Sequence, residues 1–327
     1  MNNLAKKVLL TIDKFNMIKK GTVVIAAVSG GHDSLCMLSI LNSLRALRGF
    51  ELYAAHVNHS FRDEADEDEQ FFHNTCNGLG IRAFSKKVDV LQYSKEHKIS
   101  FETAGREVRY NYFDSLIEQI PNSVVATAHS ANDSTESFFM HLMRGSGLSG
   151  LTGIKPIRGK IIRPLIEINR QEIEEYCEEN NLNPRIDITN FEDNYKRNDI
   201  RHNVMPPILQ RSGIDTISRT IQILATEEEF LQEYTNGIMD KYILINGNSA
   251  RIEVKSFNPL PLAIKRRLLK RALPKQQEVE IGLVHIDSII SIAEKNYGGK
   301  CTILPGGVTV SLASGIITIN GVKSNDK

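Results

Sequence analysis

Val23-Val24-Ile25-Ala26-Ala27-Val28-Ser29-Gly30-Gly31-His32-Asp33-Ser34 passes from a buried-strand pattern through paired glycines into the start of a helix. The six apolar residues before Ser29 do not alternate, and three are valines, which suits a central strand of a parallel sheet covered on both faces. From Leu35 the period changes, with Leu38, Leu41 and Leu44 recurring at helical steps, and the helix is expected to run to about Arg48. Gly30 and Gly31 let backbone N–H groups crowd around an anion. Asp33 or Ser34 would cap the following helix, whose N-terminus adds partial positive charge. The expected ligand is a phosphate, and a plain glycine turn is the alternative.

No Gly-Lys-Ser/Thr follows, so the loop is not a Walker A motif, and it is not G-x-G-x-x-G. Ser-Gly-Gly-x-Asp-Ser after such a strand resembles the PP-loop of the N-type ATP pyrophosphatases. That resemblance implies a grip on the β- and γ-phosphates while the α-phosphate is transferred as AMP.

The chain has 327 residues, long for one compact domain, and its apolar fraction of 41% and charged fraction of 24% are ordinary for a globular protein. Cys36, Cys76, Cys177 and Cys301 form no C-x-x-C pair, which argues against a zinc ribbon or cysteine-held cluster and suits reduced thiols in a cytosol. No signal peptide and no apolar run of about 18 residues is present, so a cytoplasmic protein without a membrane segment is expected. A net charge of +1 requires any polyanion to bind through local patches.

Further strands are expected at 52–57, 81–88 and 124–128, alternating with helices at 63–77, 102–120 and 133–144. The acidic run from Asp63 to Glu69 suits a helix start and reads mainly as a solvated face. This alternation predicts an α/β fold with a doubly wound parallel sheet, whose ligands sit at the carboxyl ends of the strands. Ser29 to Ser34, His56 to His59 and His129 to Asp133 would then meet at one crevice. A hairpin is expected through Arg158-Gly159-Lys160 and a helix at 170–180, with Pro206-Pro207 ending or redirecting the chain. Residues 214–243 read as one long helix. After it come a strand at 250–254, helices at 261–272 and 282–294, and a closing pair at 301–304 and 309–319. The expected division is a catalytic domain at 1–212, a helical linker at 213–245 and a smaller C-terminal α+β domain at 246–327.

Several segments, in order, look like the tRNA(Ile)-lysidine synthetase family. His56-Val57-Asn58-His59 with Phe61-Arg62 matches its His-x-x-His segment beside the nucleotide. Glu102-Thr103-Ala104-Gly105-Arg106-Glu107-Val108-Arg109-Tyr110 is similar to Glu-x-x-Ala-Arg-x-x-Arg-Tyr, with Gly105 where alanine is usual. Thr127-Ala128-His129-Ser130-Ala131-Asn132-Asp133-Ser134-Thr135-Glu136-Ser137 corresponds to Thr-Ala-His-x-x-Asp-Asp-x-x-Glu-Thr. Asn132 stands where the family has its first aspartate, which costs a negative charge near the nucleotide and bears on one magnesium contact without removing the site, since Asp133 is retained. Residues 144–153 match the family's mobile glycine segment, and Arg163-Pro164-Leu165 and Arg197-Asn198-x-Ile200-Arg201 match later motifs. The C-terminal part resembles the family's first appended domain more loosely, and the chain is expected to stop before the second.

The resemblance implies that ATP and magnesium serve to adenylate the wobble cytidine of an isoleucine tRNA with a CAU anticodon at C2. Free L-lysine then displaces AMP through its ε-amine. Asp33, Asp133 and Arg106 are the implied catalytic residues. Ala27, Ser29, Gly30, Gly31, His32, Asp33, Ser34, His56, His59 and His129 are the implied ATP site. Asp33, Asp133 and Glu136 would meet lysine or magnesium, with Asp33 the metal contact. Arg109, Arg144, Arg197, Arg201, Lys265, Arg266 and Lys270 would meet tRNA. A homodimer is a further arrangement considered.

Plainer roles exist for each. Asp33, Asp133 and Glu136 could be helix caps or supports, and Arg106 with Glu102 a surface pair. His56 and His59 are too few for a zinc site, leaving adenine contact or loop packing. The basic run around Lys265 could be a solvated face. Rival functions are a tRNA-thiolating PP-loop enzyme, which the lack of C-x-x-C opposes, an amidotransferase-coupled synthetase without its glutaminase signature, and an inactive RNA-binding module.

Overall fold

Val24, Ile25 and Ala26 of strand β1 (Val23–Ala27) are each 0% exposed. In the computed structural model, residues 2–60, 65–185, 195–273, 281–295 and 298–321 are described, and the chain divides into two units, Met1–Ala225 and Thr226–Lys327. Phe61 and Arg62 lie outside the described residues.

The first unit runs through α1 (Asn3–Lys14), β1, α2 (His32–Arg48), β2 (Glu51–Asn58), α3 (Ala65–Gly78), β3 (Arg82–Lys87) and α4 (Val90–His97). It continues through α5 (Phe101–Gln119), β4 (Ser123–Ala126), α6 (Ala131–Met143), β5 (Ile157–Arg158), β6 (Ile161–Ile162) and α7 (Arg170–Glu179). Next come α8 (Tyr195–Asp199), a π-helical turn at Ile200–Val204 and the start of α9 (Met205–Tyr242). The sheet order is β3-β2-β1-β4-β6-β5, parallel apart from β5.

Val24 and Ala26 join a cluster with Leu4, Val8, Leu41 and Ile173 of α1, α2 and α7, whereas Ile25 packs with Tyr112, Phe113 and Leu116 of α5. Cover on both faces is why β1 shows no alternation. Chain order reverses at this strand: β2 and β3 lie on one side and β4 on the other. At such a switch the loops beyond the carboxyl ends diverge and leave a crevice. Ala26 pairs with both Ala54 and Ala126, so the segments after β1 and β4 leave the sheet level with each other.

The second unit has an antiparallel sheet, β7 (Ile243–Asn246), β8 (Ser249–Glu253), β9 (Lys300–Ile303), β10 (Thr309–Ala313) and β11 (Ile316–Asn320), ordered β7-β8-β11-β10-β9. Helices α10 (Val254–Phe257), α11 (Leu262–Ala272) and α12 (Leu283–Lys295) supply its core with Phe257, Leu268, Leu269 and Ile289.

Some local expectations are corrected. The strand expected at 309–319 is a hairpin, because Ser314 and Gly315 both take positive φ, 50° and 74°, the geometry of a tight two-residue turn. Pro206-Pro207 lies in the first turn of the helical segment that opens α9, where a missing N–H is tolerated, and the long helix expected from 214 follows the break at Gly213. Gly213, at φ 70° and ψ 159°, interrupts that helix instead. The acidic start of α3 is not merely solvated: Asn58 donates to Asp66 and Glu69 at 2.8 and 2.9 Å.

Gly105 lies inside α5, and a Cβ there would meet His59 at 3.7 Å and Val90 at 3.8 Å, ordinary contact distances. Glycine within a helix costs about 1 kcal/mol relative to alanine. Gly105→Ala is therefore expected to raise the Tm by about 2–4 °C in thermal unfolding. A lowered Tm would show that α5 needs the bare backbone there.

Candidate active site

The phosphate loop forms between β1 and α2. Gly30 has φ 94°, a conformation that side chains resist, which explains a glycine there. Gly31 is the N-cap of α2, and no side chain caps the helix, so neither Asp33 nor Ser34 takes the capping role expected of them. Uncapped N–H groups at a helix start are an anion seat. The Ser34 hydroxyl accepts from the backbone N–H of Ser29 and of Gly30, each at 3.2 Å, and donates to the Gly31 carbonyl at 3.0 Å. It thereby keeps the two N–H groups aimed inward.

Three groups brace this loop. His56 donates through Nδ1 to the Val28 carbonyl at 2.8 Å, and burial pushes its pKa down. The Arg185 N–H donates to the Gly30 carbonyl at 3.0 Å, and the Cys177 thiol donates to the His32 carbonyl at 3.6 Å. His56 thus has the geometry of a loop support, while His59 lies against Gly105 of α5. Cys177 and Arg185 carry no motif; their contact with the loop comes only from packing.

Asp33 occupies the second position of α2 and lines a cleft with Asp133, Arg170 and Arg201. Burial, then the like charge of Asp133, pushes its carboxyl up to about 6, against the pull of Arg170 and Arg201. Asp133 closes a capping box on α6: its Oδ2 accepts from the Ser130 N–H at 2.8 Å and hydroxyl at 3.0 Å. Its Oδ1 accepts from Arg197 at 3.1 Å. Capping and cleft-facing roles therefore coexist in one side chain.

Glu136, one turn on, is 2% exposed and receives Arg197 Nε and Arg201 Nε, both at 2.6 Å, with a further Arg201 bond at 3.2 Å. Three lone-pair directions of roughly four are taken. The structure thus turns Arg197 and Arg201 onto Glu136, and Glu136 has the geometry of their anchor. Asn132 lines the same cleft, and its Oδ1 accepts from the Arg170 N–H at 2.8 Å, satisfying the first turn of α7. Arg170, brought to the cleft by α7, had no sequence signal.

His129 follows β4, with Nδ1 3.0 Å from the Thr127 hydroxyl. Burial pushes its pKa down to about 4, with Arg163, Arg197 and Arg106 adding to the effect and Asp133 opposing it. Its imidazole is neutral at physiological pH. Arg106 is exposed and stacks over the Tyr110 ring at 5.0 Å, and Arg109 and Arg144 are exposed.

In the second unit, Lys265 is 6% exposed and pairs with Glu294 at 2.9 Å. Arg266 grips Asp287 at 2.8 and 2.9 Å, and Arg267 grips Glu228. Lys270 is exposed. The basic run of α11 that reads as an RNA-gripping face is thus largely turned inward, because acidic residues distant in sequence pack against it.

Among the described residues no group of three or more His, Cys, Asp and Glu side chains is placed to hold a metal. Asp33 and Asp133 nevertheless offer two adjacent oxygen donors at a phosphate loop. Such a set suits magnesium, which takes one or two carboxylates and completes its shell with phosphates and water.

Two stability predictions follow from these carboxyl groups. The folded pKa of Asp33 lies above its unfolded value of about 3.9, so its contribution is full below pH ~4 and is lost as pH rises through about 6. Asp33→Asn is therefore expected to stabilise the protein at pH 7.5, by up to about 3 kcal/mol, and to do so far less at pH 4.5, in paired denaturant titrations. Glu136→Gln should destabilise it by about 3–5 kcal/mol, since two guanidinium groups lose their buried counter-charge; an unchanged midpoint would contradict that network.

The family described as PP-loop domain matches residues 2–208. A curated tRNA(Ile)-lysidine synthase of Clostridium perfringens is 40% identical over 324 residues, covering 97% of this chain and 67% of that protein. One from Caldanaerobacter subterraneus subsp. tengcongensis is 39% identical over 303 residues, covering 91% of this chain and 65% of that protein. The chain thus spans about two thirds of the length of these relatives. Among solved structures, a U34-tRNA thiolase from Methanococcus maripaludis superposes with a TM-score of 0.57 at 20% identity, covering 67% of this chain and 76% of that one, a likeness of fold alone. No described helix is long and apolar enough to cross a membrane. With the phosphate loop, the paired carboxylates and these matches together, the chain belongs to the tRNA(Ile)-lysidine synthase family of PP-loop ligases that use ATP to modify tRNA.

Proposed function

We propose that this chain, in the cytoplasm, joins free L-lysine to C2 of the wobble cytidine of isoleucine tRNA with a CAU anticodon. ATP is consumed, and AMP and pyrophosphate are released. The observation that carries the reading is the juxtaposition of Asp33 and Asp133 at the mouth of a phosphate loop, in a chain of this family.

The uncapped start of α2, on a loop whose Ser29 and Gly30 N–H groups are fixed by the Ser34 hydroxyl, holds the β- and γ-phosphates. The cytidine O2 attacks the α-phosphorus as pyrophosphate leaves. The lysine ε-amine then attacks C2, and the C2–O bond breaks with departure of AMP. Bound magnesium, held by Asp33 and Asp133, would offset phosphate charge. Lysine arrives as an ammonium ion with a pKa of about 10.4, so it must lose protons before its amine is retained in the product. Asp33 is ionised at neutral pH, which suits it to orient the ammonium group beside the cation. Neutral His129 leaves the positive charge of this region to the arginines.

The direct test is incorporation of labelled lysine into unmodified isoleucine tRNA bearing CAU, with ATP and magnesium. The native chain should transfer lysine with one AMP formed per lysine, and Asp33→Ala should lower transfer at least 100-fold. ATP cleavage without lysine transfer would overturn the assignment.

A further inference from the structure

Arg163 follows β6 at its carboxyl end, the side of the sheet on which the phosphate loop and His129 lie. It is 4% exposed. One terminal nitrogen donates to the Lys155 carbonyl at 2.6 Å, and the guanidinium also donates to the Tyr110 hydroxyl. Its Nε has no hydrogen-bond partner, and no carboxylate forms an ion pair with it, among the described residues. Arg197 and Arg201, by contrast, are neutralised by Glu136. Buried arginines are ordinarily paired, because taking an uncompensated charge out of water is costly. A guanidinium left without a carboxylate beside His129 and Tyr110 fits an anion that the substrate brings, and its planar donors match phosphate.

The surroundings extend this seat outward. The Tyr110 ring is sandwiched by Arg106 at 5.0 Å and Arg158 at 4.8 Å. Tyr110 also lines a groove floored by Ile117 and Ile161 and rimmed by exposed Arg158 and Lys160, with Asp114 as its acidic member. A basic groove with an aromatic side chain is a surface for a nucleic-acid strand. The phosphate loop follows β1 and Arg163 follows β6, two positions apart in the order β1-β4-β6, or about 10 Å at the usual strand spacing. The KM for ATP therefore separates an RNA phosphate at Arg163 from a phosphate of the nucleotide held by the loop.

Resting on the function proposed above, we propose that Arg163, with Tyr110 and Arg158, holds a backbone phosphate of the RNA strand that carries the target cytidine. The anion-binding unit is the Arg163 guanidinium, steadied by the Tyr110 hydroxyl, and Arg158 and Lys160 guide the strand along the edge of the sheet.

The experiment measures binding of unmodified isoleucine tRNA to the full chain across a salt series, together with the KM for ATP, in Arg163→Gln, Tyr110→Phe and Arg158→Ala. Arg163→Gln should weaken binding at least tenfold and reduce the slope of log K against log salt by about one. Arg158→Ala, an exposed change that spares the core, should reduce the slope by a similar amount, and Tyr110→Phe should weaken binding about threefold. The KM for ATP should stay within twofold in all three. If Arg163→Gln fails to fold, the other two variants decide the matter. Unchanged affinity and slope in the folded variants would overturn the proposal. A raised KM for ATP with intact tRNA binding would assign the anion to the nucleotide and overturn it equally. Because binding needs no turnover, native binding with the expected variant losses but without lysine transfer would overturn the proposed reaction while supporting the phosphate seat.

Discussion

The arrangement of this site depends on a single strand buried from two sides. Because β1 is covered by α1, α2 and α7 on one face and α5 on the other, its sequence is forced to be apolar throughout and its position is central. Because the chain pairs β2 on one side of it and β4 on the other, the loops that follow β1 and β4 must part. Gly30 can turn, α2 can present its N-terminus and α6 can present Asp133 only because both loops open at that level.

Charge within the cleft is separated along the sheet. Asp33 and Asp133 repel each other near the phosphate loop, partly offset by Arg170 and Arg201, while Arg106 and Arg163 lie near a neutral His129. Between them, Glu136 gathers Arg197 and Arg201 and connects α6 with α8 and the π-helical turn. An acidic pole suits ammonium or a divalent cation; a basic pole suits phosphate. Both are electrostatically unfavourable in isolation, the usual condition of a site whose charges are completed by substrate.

The phosphate loop was legible because it combines a strand pattern, paired glycines and a helical period within a few adjacent residues. The helices and strands of the first sheet were legible for the same local reason. What sequence periodicity missed was short or set by contact: α4, only 90–97, and the pairing of the hairpin strand β6 with β4. Asp33 stood out as a carboxylate beside phosphates, yet its raised pKa depends on Asp133 from another strand end. Lys265 and Arg266 read as an exposed basic face, and only Glu294 and Asp287 from α12 show where those charges go.

The sequence by itself determined the central strand, the glycine loop and the inventory of charged residues, because each follows from neighbours a few positions apart. Tertiary structure alone decided which of those charges are spent on one another. Asn132 became a partner of α7, Arg197 and Arg201 were drawn to Glu136, and Arg163 was buried without a carboxylate partner among the described residues. The physical reason is that desolvation and Coulomb interaction act through space, between side chains that the sheet topology brings together from distant parts of the chain.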